Sequence, residues 1–376
     1  MCELQDGRLP TPEVAGGDFT VGVEEEFCVV DAGTGALRPV ADEILPFAKE
    51  ALGDQVEAEL NRSQIETGTR VCTTLAEIRA ELEHLRRLLR GAAARGGCSV
   101  VSSGTHPTAA PEDSEVNPAK ERYRRLEQEF QAVAREQLVN GCHVHVGIAD
   151  RDLAIELLDR VRPWLAPVVA LAANSPFWAG ADSGYASYRT EVWTRWPLTG
   201  MPEPLASQTE YDGLITALQA VEALPDATFL YWDVRPSARY QTLEFRAADA
   251  CLTVDDAVMV AGLWRAIART AVEEARTGEP RPVLRGELID AARWRAARYG
   301  VEGTLVDLTE GRTAPAGAVV DRLLGHVRPA LEAAGDWDEV NGLVERSMAG
   351  GNGAMRQRAA LARRGEVADV LALLLA

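Results

Sequence analysis

Three short segments, far apart in the chain, place ionisable side chains on alternate residues. They are Val23-Glu24-Glu25-Glu26-Phe27, Cys142-His143-Val144-His145-Val146 and Leu243-Glu244-Phe245-Arg246. Successive side chains of a β-strand point to opposite faces. Glu24 and Glu26 therefore share a face, as do His143 with His145 and Glu244 with Arg246, while the residues between them are mostly apolar and suit a core. Neighbouring carboxylates repel unless a cation lies between them. Oxygen ligands suit Mg2+ or Mn2+, and an imidazole sits more comfortably on Mn2+. The pattern thus points to a surface that binds metal ions and the anions those metals hold, with Glu24, Glu26, His143 and Glu244 as candidate ligands. The blander readings are a solvated sheet face, a satisfied core histidine and a cross-strand ion pair. Three consecutive glutamates in an apolar strand, and two of only five histidines on one face, weigh against them.

Other residues fit the same chemistry. Glu66, in Ser63-Gln-Ile-Glu-Thr67, shares a strand face with Gln64. Arg235, in Trp232-Asp-Val-Arg-Pro-Ser237, and Arg189, in Tyr185-Ala-Ser-Tyr-Arg-Thr190, carry forked guanidinium groups that match carboxylates and phosphates. Glu25 points into the core and needs a partner there, such as an arginine from a backing helix. His-x-His pairs also occur in zinc hydrolases, so a metal hydrolase remains open on the residues alone, as does a non-catalytic metabolite-binding protein. His106 is given no role, and His84 is read as surface.

The elements that must position these residues are set by periodicity and capping signals. Strands are read over Phe19–Val30, Asn61–Val71, Cys98–Ser103, Leu138–Ile148, Tyr231–Ser237 and Thr242–Ala247. Thr74-x-x-Glu77 is a capping box opening an amphipathic helix, Asp150 caps another that Pro163 and Pro167 kink or split, and Thr253-x-x-Asp256 caps a third. Residues 174–204 form a long aromatic and polar segment with the character of a functional loop or lid. From Glu287 onward the pattern is helical. No βαβ rhythm appears. The expected fold is α+β: a mainly antiparallel curved sheet with an open polar face, backed by helices. Residues 1–17 read as a flexible lead-in and 18–376 as one domain, mostly helical over 286–376.

Composition excludes several classes. The 376 residues are 47% hydrophobic and 26% charged, an ordinary globular balance. A formal charge of −18 argues against nucleic acid or an anionic membrane as partner. The longest apolar run, Pro163 to Trp178, is interrupted and too short for a membrane span. Six cysteines form no C-x-x-C pair, and the start lacks a signal-peptide layout, so a cytoplasmic protein with reduced thiols is expected. Small-molecule substrates are the expected partners, and the helical C-terminal third could also pair with a second subunit as a homo-oligomer.

Several motifs in order complete the reading. They are Val21-Gly-Val-Glu-Glu-Glu-Phe27, Ser63-Gln-Ile-Glu66, Gly104-Thr-His-Pro107 and Gly141-Cys-His-Val-His-Val-Gly147, and then Ala173-Asn-Ser-Pro-Phe-Trp178, Gly184-Tyr-Ala-Ser-Tyr-Arg189, Trp232-Asp-Val-Arg-Pro-Ser237 and Leu243-Glu-Phe-Arg246. Together they resemble the carboxylate–amine ligases of the glutamate–cysteine ligase type 2 family, from about Phe19 to beyond Arg269. The resemblance implies a glutamine-synthetase-like sheet with ATP and Mg2+ or Mn2+ on its open face. It implies that Glu24, Glu26, Glu66, His143 and Glu244 hold metal, that Glu24, His145 and Arg246 face the nucleotide, and that Arg246, helped by Arg235 or Arg189, meets phosphate or substrate carboxylate. The implied reaction phosphorylates a carboxylate and yields a γ-glutamyl-type amide, with glutamate plus cysteine or a related amine as the substrates. Two positions depart from the family pattern: Thr69-Arg70 where many relatives have Thr-Pro, and Arg246-Ala-Ala-Asp249 where relatives often carry a cysteine.

Overall fold

The computed structural model describes residues 19–375. The lead-in expected over residues 1–17, and Cys2 with it, lie outside the described residues.

Seven strands form the main sheet: β1 Val21–Asp31, β2 Val56–Ala58, β3 Gln64–Gly68, β4 Cys98–Val101, β5 Gly141–Gly147, β6 Val234–Pro236 and β7 Thr242–Asp249. Their spatial order is β6-β7-β5-β1-β3-β2, with β4 pairing the far end of β1. Every pairing in this sheet is antiparallel, as the alternating sequence pattern predicts. The register sets Glu24 opposite His143, Glu26 opposite Glu66, and Glu244 opposite both His145 and Arg235.

The opposite face carries Val21, Val23, Val144, Val146, Leu243 and Phe245, all buried against helices that include Leu75–Arg95, Arg151–Val161 and Val254–Thr277. Glu25 lies on this face and is fully buried. Arg86 of the helix Leu75–Arg95 clasps it, Nε to Oε2 at 2.9 Å and Nη2 to Oε1 at 2.5 Å, which is the partner the sequence required. The same guanidinium donates to the carbonyls of Cys251 and Leu252, so the pair is held from three elements.

Local signals behave as their chemistry dictates. Thr74 and Thr253 each form a reciprocal capping box, and Asp150 accepts from the Leu153 amide. The helix after Asp150 is interrupted by a 3-10 turn at Arg162–Trp164 before Leu165–Ala172, where Pro163 and Pro167 cannot donate to the ladder. The region expected as one strand over Tyr231–Ser237 divides at Asp233. Tyr231–Trp232 pairs in parallel with Thr199–Gly200, and Val234–Pro236 joins β7. Asp233 itself turns to an ion pair with Arg293 at 3.2 Å.

Residues 286–375 hold five helices and a two-stranded hairpin, Thr304–Asp307 with Arg312–Pro315. The helix Gly353–Arg364 reaches back to the sheet. Its fully buried Gln357 donates to Ser103 Oγ and to both oxygens of Asn174. Val30, Cys28, Val370 and Leu374 pack together, so the C-terminal helices close the Cys28–Val30 end of the polar face. Among the described residues, no helix is long and apolar enough to cross a membrane.

Candidate active site

The polar face gathers what alternation along each strand places there. His143 Nδ1 stands 3.4 Å from Glu24 Oε2, His143 Nε2 3.8 Å from Glu26 Oε1, and His145 Nε2 3.4 Å from Glu24 Oε1. Three sets of side chains each bring one ligand atom per residue within 4.8 Å of one another: Glu24, Glu66 and His143; Glu24, His145 and Glu244; and Glu26, Glu59 and Glu66. Glu24 and Glu66 each serve two sets. His143 Nδ1 and His145 Nε2 are buried atoms without a hydrogen-bond partner. Buried ring nitrogens seldom go unpaired, and two that face a shared carboxylate suit a cation between them.

Electrostatics separates the carboxylates into two kinds. Burial, together with Glu59, pushes Glu26 up to about 7, and burial with Glu24, Glu59 and Glu26 raises Glu66 well above the ordinary value. These groups repel one another, and for Glu26 the attraction of Arg189 and Arg246 offsets only part of the rise. At the other end, burial would raise Glu24 and Glu244, but the imidazoles of His145 and His143 hold Glu24 well below the ordinary value, and Arg235 and Arg246 do the same for Glu244. His143 is driven down to about 4 by burial and by Arg246, which keeps its ring neutral and able to act as a ligand. His145 is raised despite its burial, chiefly by Glu24.

The three candidate arginines occupy different surroundings. Arg235 Nε and Nη2 grip Glu244 at 2.8 and 3.1 Å, while its Nη1 donates to the carbonyls of Leu230 and Thr228. Its fork is taken up by bracing Glu244. Arg246 also donates to Glu244, but its Nε has no partner. A register shift between Phe245 and Ala248 sets two residues, Arg246 and Ala247, opposite His143 alone. This bulge re-aims Arg246 and reverses the facing of the strand residues beyond it, so that Asp249 pairs with Gly141 on the polar side.

Arg189 lies on the short helix Tyr188–Trp193, within the segment expected as a long loop. The segment is anchored, because Asp249 accepts from the Asn174 amide and from the hydroxyls of Ser175 and Ser187 at 2.7–2.8 Å. Arg189 is 2% exposed, and its guanidinium donates to the carbonyls of Arg246 and Ala247. It meets the His143 ring over Gly141, where an added Cβ would fall 2.5 Å from Arg189 Nη2 and 2.8 Å from His143 Nε2. Only glycine leaves room for that meeting.

Sequence reasoning missed Glu59. It comes just after the three-residue strand β2, too short to show a period, and it is oriented by its own Oε2 accepting from the Leu60 amide at 2.6 Å. Glu57, opposite Glu66, is also on this side and is paired to Lys120 at 2.8 Å. Gln64, expected beside Glu66, is buried and spent on Asn61, Val139 and Asn140. His106 is a structural residue bonded to Gly35 and Ala109 backbone, and His84 is exposed.

Comparison with known proteins identifies the family and the fold. Residues 20–372 match the profile described as glutamate–cysteine ligase family 2. A protein of Frankia alni, provisionally named glutamate–cysteine ligase 2-2, is 47% identical over 96% of this chain and 97% of its own. A Frankia casuarinae relative with the same provisional name is 44% identical over 95% of this chain, which spans 41% of that longer protein. Among solved structures, the Francisella tularensis glutamate–cysteine ligase in complex with AMP superposes with a TM-score of 0.69 at 12% identity, covering 95% of this chain and 87% of that one. At that identity the likeness is one of fold.

Proposed function

The chain belongs to glutamate–cysteine ligase family 2, and from that premise we propose that it joins a side-chain carboxylate to an amine at the expense of ATP. It is an enzyme of the carboxylate–amine ligase type. The product is a γ-glutamyl-type amide, formed through an acyl phosphate from glutamate and cysteine or a related amine. The observation that carries this reading is the convergence of the three ligand sets on one open face, beside two arginines that each keep an unpartnered Nε–H.

Glu24, Glu26, Glu59, Glu66, His143, His145 and Glu244 would hold Mg2+ or Mn2+. The raised carboxyls and the orphaned ring nitrogens fit such ions. Bound metal supplies charge neutralisation for nucleotide phosphates and alignment of the transfer. Arg246 faces the oxygens on which negative charge builds, and Arg189 holds the substrate's carboxylate. Arg235 fixes Glu244 in the orientation that presents it to the face. The anchored segment around Arg189 forms one wall and keeps water from the acyl phosphate. A cytoplasmic location and small-molecule partners belong to the same reading.

The test is a phosphate-release screen over paired carboxylates and amines with Mg2+ and Mn2+. Release that needs both a carboxylate and an amine supports the ligase. Bond cleavage on zinc without nucleotide would replace it with a hydrolase.

A further inference from the structure

Trp193 stands four residues after Arg189 on the same short helix, so the two share a face. Its ring centroid lies 5.5 Å from the Arg189 guanidinium carbon and 5.8 Å from that of Arg246, within the reach of cation–π attraction for both. The indole is itself pinned. Its Nε1–H donates to the Tyr231 carbonyl at 3.3 Å, and the Tyr231 ring meets it at 5.3 Å and 74°. Glu244 holds one end of the Arg246 guanidinium, and what is left free of the two groups needs such a fixture. Arg189 is otherwise tethered by two long hydrogen bonds, 3.2 and 3.4 Å, to backbone carbonyls. Each guanidinium has a buried Nε–H with no partner. Both are near Glu26, which attracts them. An arginine that collapsed onto Glu26 or Glu24 would occupy the carboxylates needed for metal and withdraw its charge from substrate.

We propose that Trp193 is a positioning residue: its ring holds Arg189 and Arg246 at a fixed spacing, off Glu24 and Glu26 and directed at two anionic groups of bound substrates. This inference rests on the ligase reading for the identity of those groups, a phosphoryl group and a carboxylate. It extends that reading by giving the pair of cations a shared support outside the ligand sets. The negative π-face of the indole also offsets the mutual repulsion of two like charges.

A packing role and an electrostatic one separate cleanly under fluorination, which weakens the ring's negative face with little change of shape. Mono-, di- and trifluorotryptophan inserted at position 193 alone are expected to lower kcat/KM in even logarithmic steps, by about tenfold across the series. KM for the carboxylate substrate should rise, with the melting temperature unchanged. Trp193→Phe should retain most activity, and Trp193→Leu should lose about ten- to a hundredfold. A flat fluorination series overturns the proposal, and because the series is isosteric it decides even where Trp193→Leu fails to fold. If the unmodified enzyme turns over no carboxylate–amine pair, the ligase reading fails. The positioning claim is then read from calorimetric affinity for magnesium AMP-PNP, where a graded loss supports it and constant affinity sinks it.

Discussion

Glu25 and its neighbours Glu24 and Glu26 are the same residue type on one strand, yet their surroundings are opposite. Glu25 is fully buried against helices and meets a two-pronged arginine there. Glu24 and Glu26 face the open side, crowded by Glu59, Glu66 and two imidazoles. One carboxylate is fully paired by an arginine; of the other two, Glu24 leans on imidazoles and Glu26 accepts from the Gly141 amide amid other carboxylates. A buried charge with a complete partner is a structural commitment, whereas a cluster of like charges with orphaned ligand atoms is a binding commitment.

Breaking each side of this comparison should have different consequences. Arg86→Leu leaves Glu25 as a buried, unpaired charge and should cost roughly 3–5 kcal/mol in urea unfolding. Glu24→Gln gives up its pairing with the imidazoles but strands no charge in the core, so it should cost less in unfolding than Arg86→Leu while lowering ATP-dependent ligation about a thousandfold. A Glu24→Gln protein with near-normal turnover would erase the distinction. Gly141→Ala tests the polar side by shape alone. Its Cβ would force apart Arg189 and His143, and a loss of about a hundredfold in kcat/KM is expected with a folded protein.

The two kinds of acid also respond to pH with opposite signs. Glu26, raised to about 7, and Glu66, raised well above 4.5, hold protons in the folded chain that the unfolded chain has released. Their contribution is intact below pH 4.5; that of Glu26 is lost as pH rises through about 7, and that of Glu66 is likewise lost with rising pH. His145, also raised, has the same sign. Glu24 and Glu244, held low, give stability above about pH 4.5 that acid removes. The metal-free protein should therefore melt lower at about pH 8 than at about pH 6. Saturating Mg2+ or Mn2+ should raise the melting temperature by about 5 °C at the higher pH and by less at the lower. Equal shifts at both values would argue that the raised carboxyls are not the ligands. The smallest expected effect is also the sharpest: Glu66→Gln removes a group that repels its neighbours once ionised and should raise the metal-free melting temperature at about pH 8 by about 2 °C while weakening metal binding.

Much of the site is legible without the fold. Alternation along a strand is a local rule, so it pairs Glu24 with Glu26 and His143 with His145, and it turns Glu25 inward. The hidden part depends on register between strands, which no single segment carries. Glu66 gains its place only because β3 sets it opposite Glu26. Glu59 sits beyond a strand too short to announce itself, and Arg235 reads as a free cation although Glu244 and two carbonyls occupy it. Trp193, one of eight tryptophans, has no pattern to set it apart. The segment around Arg189 reads as a loop because its order comes from Asp249, 62 residues beyond Ser187 and turned toward it by a bulge.

That bulge makes β7 a ruler whose markings slip by one step midway. Upstream of it, even-numbered residues look out on the chemistry; downstream, odd-numbered ones do. Excising Ala247 would bring the markings back into line, swing Asp249 into hydrocarbon and cut the moorings of Asn174, Ser175 and Ser187. Length changes here can be made only in twos, and the strand's odd residue is what lets one ribbon of backbone serve both the cations at its start and the wall at its end.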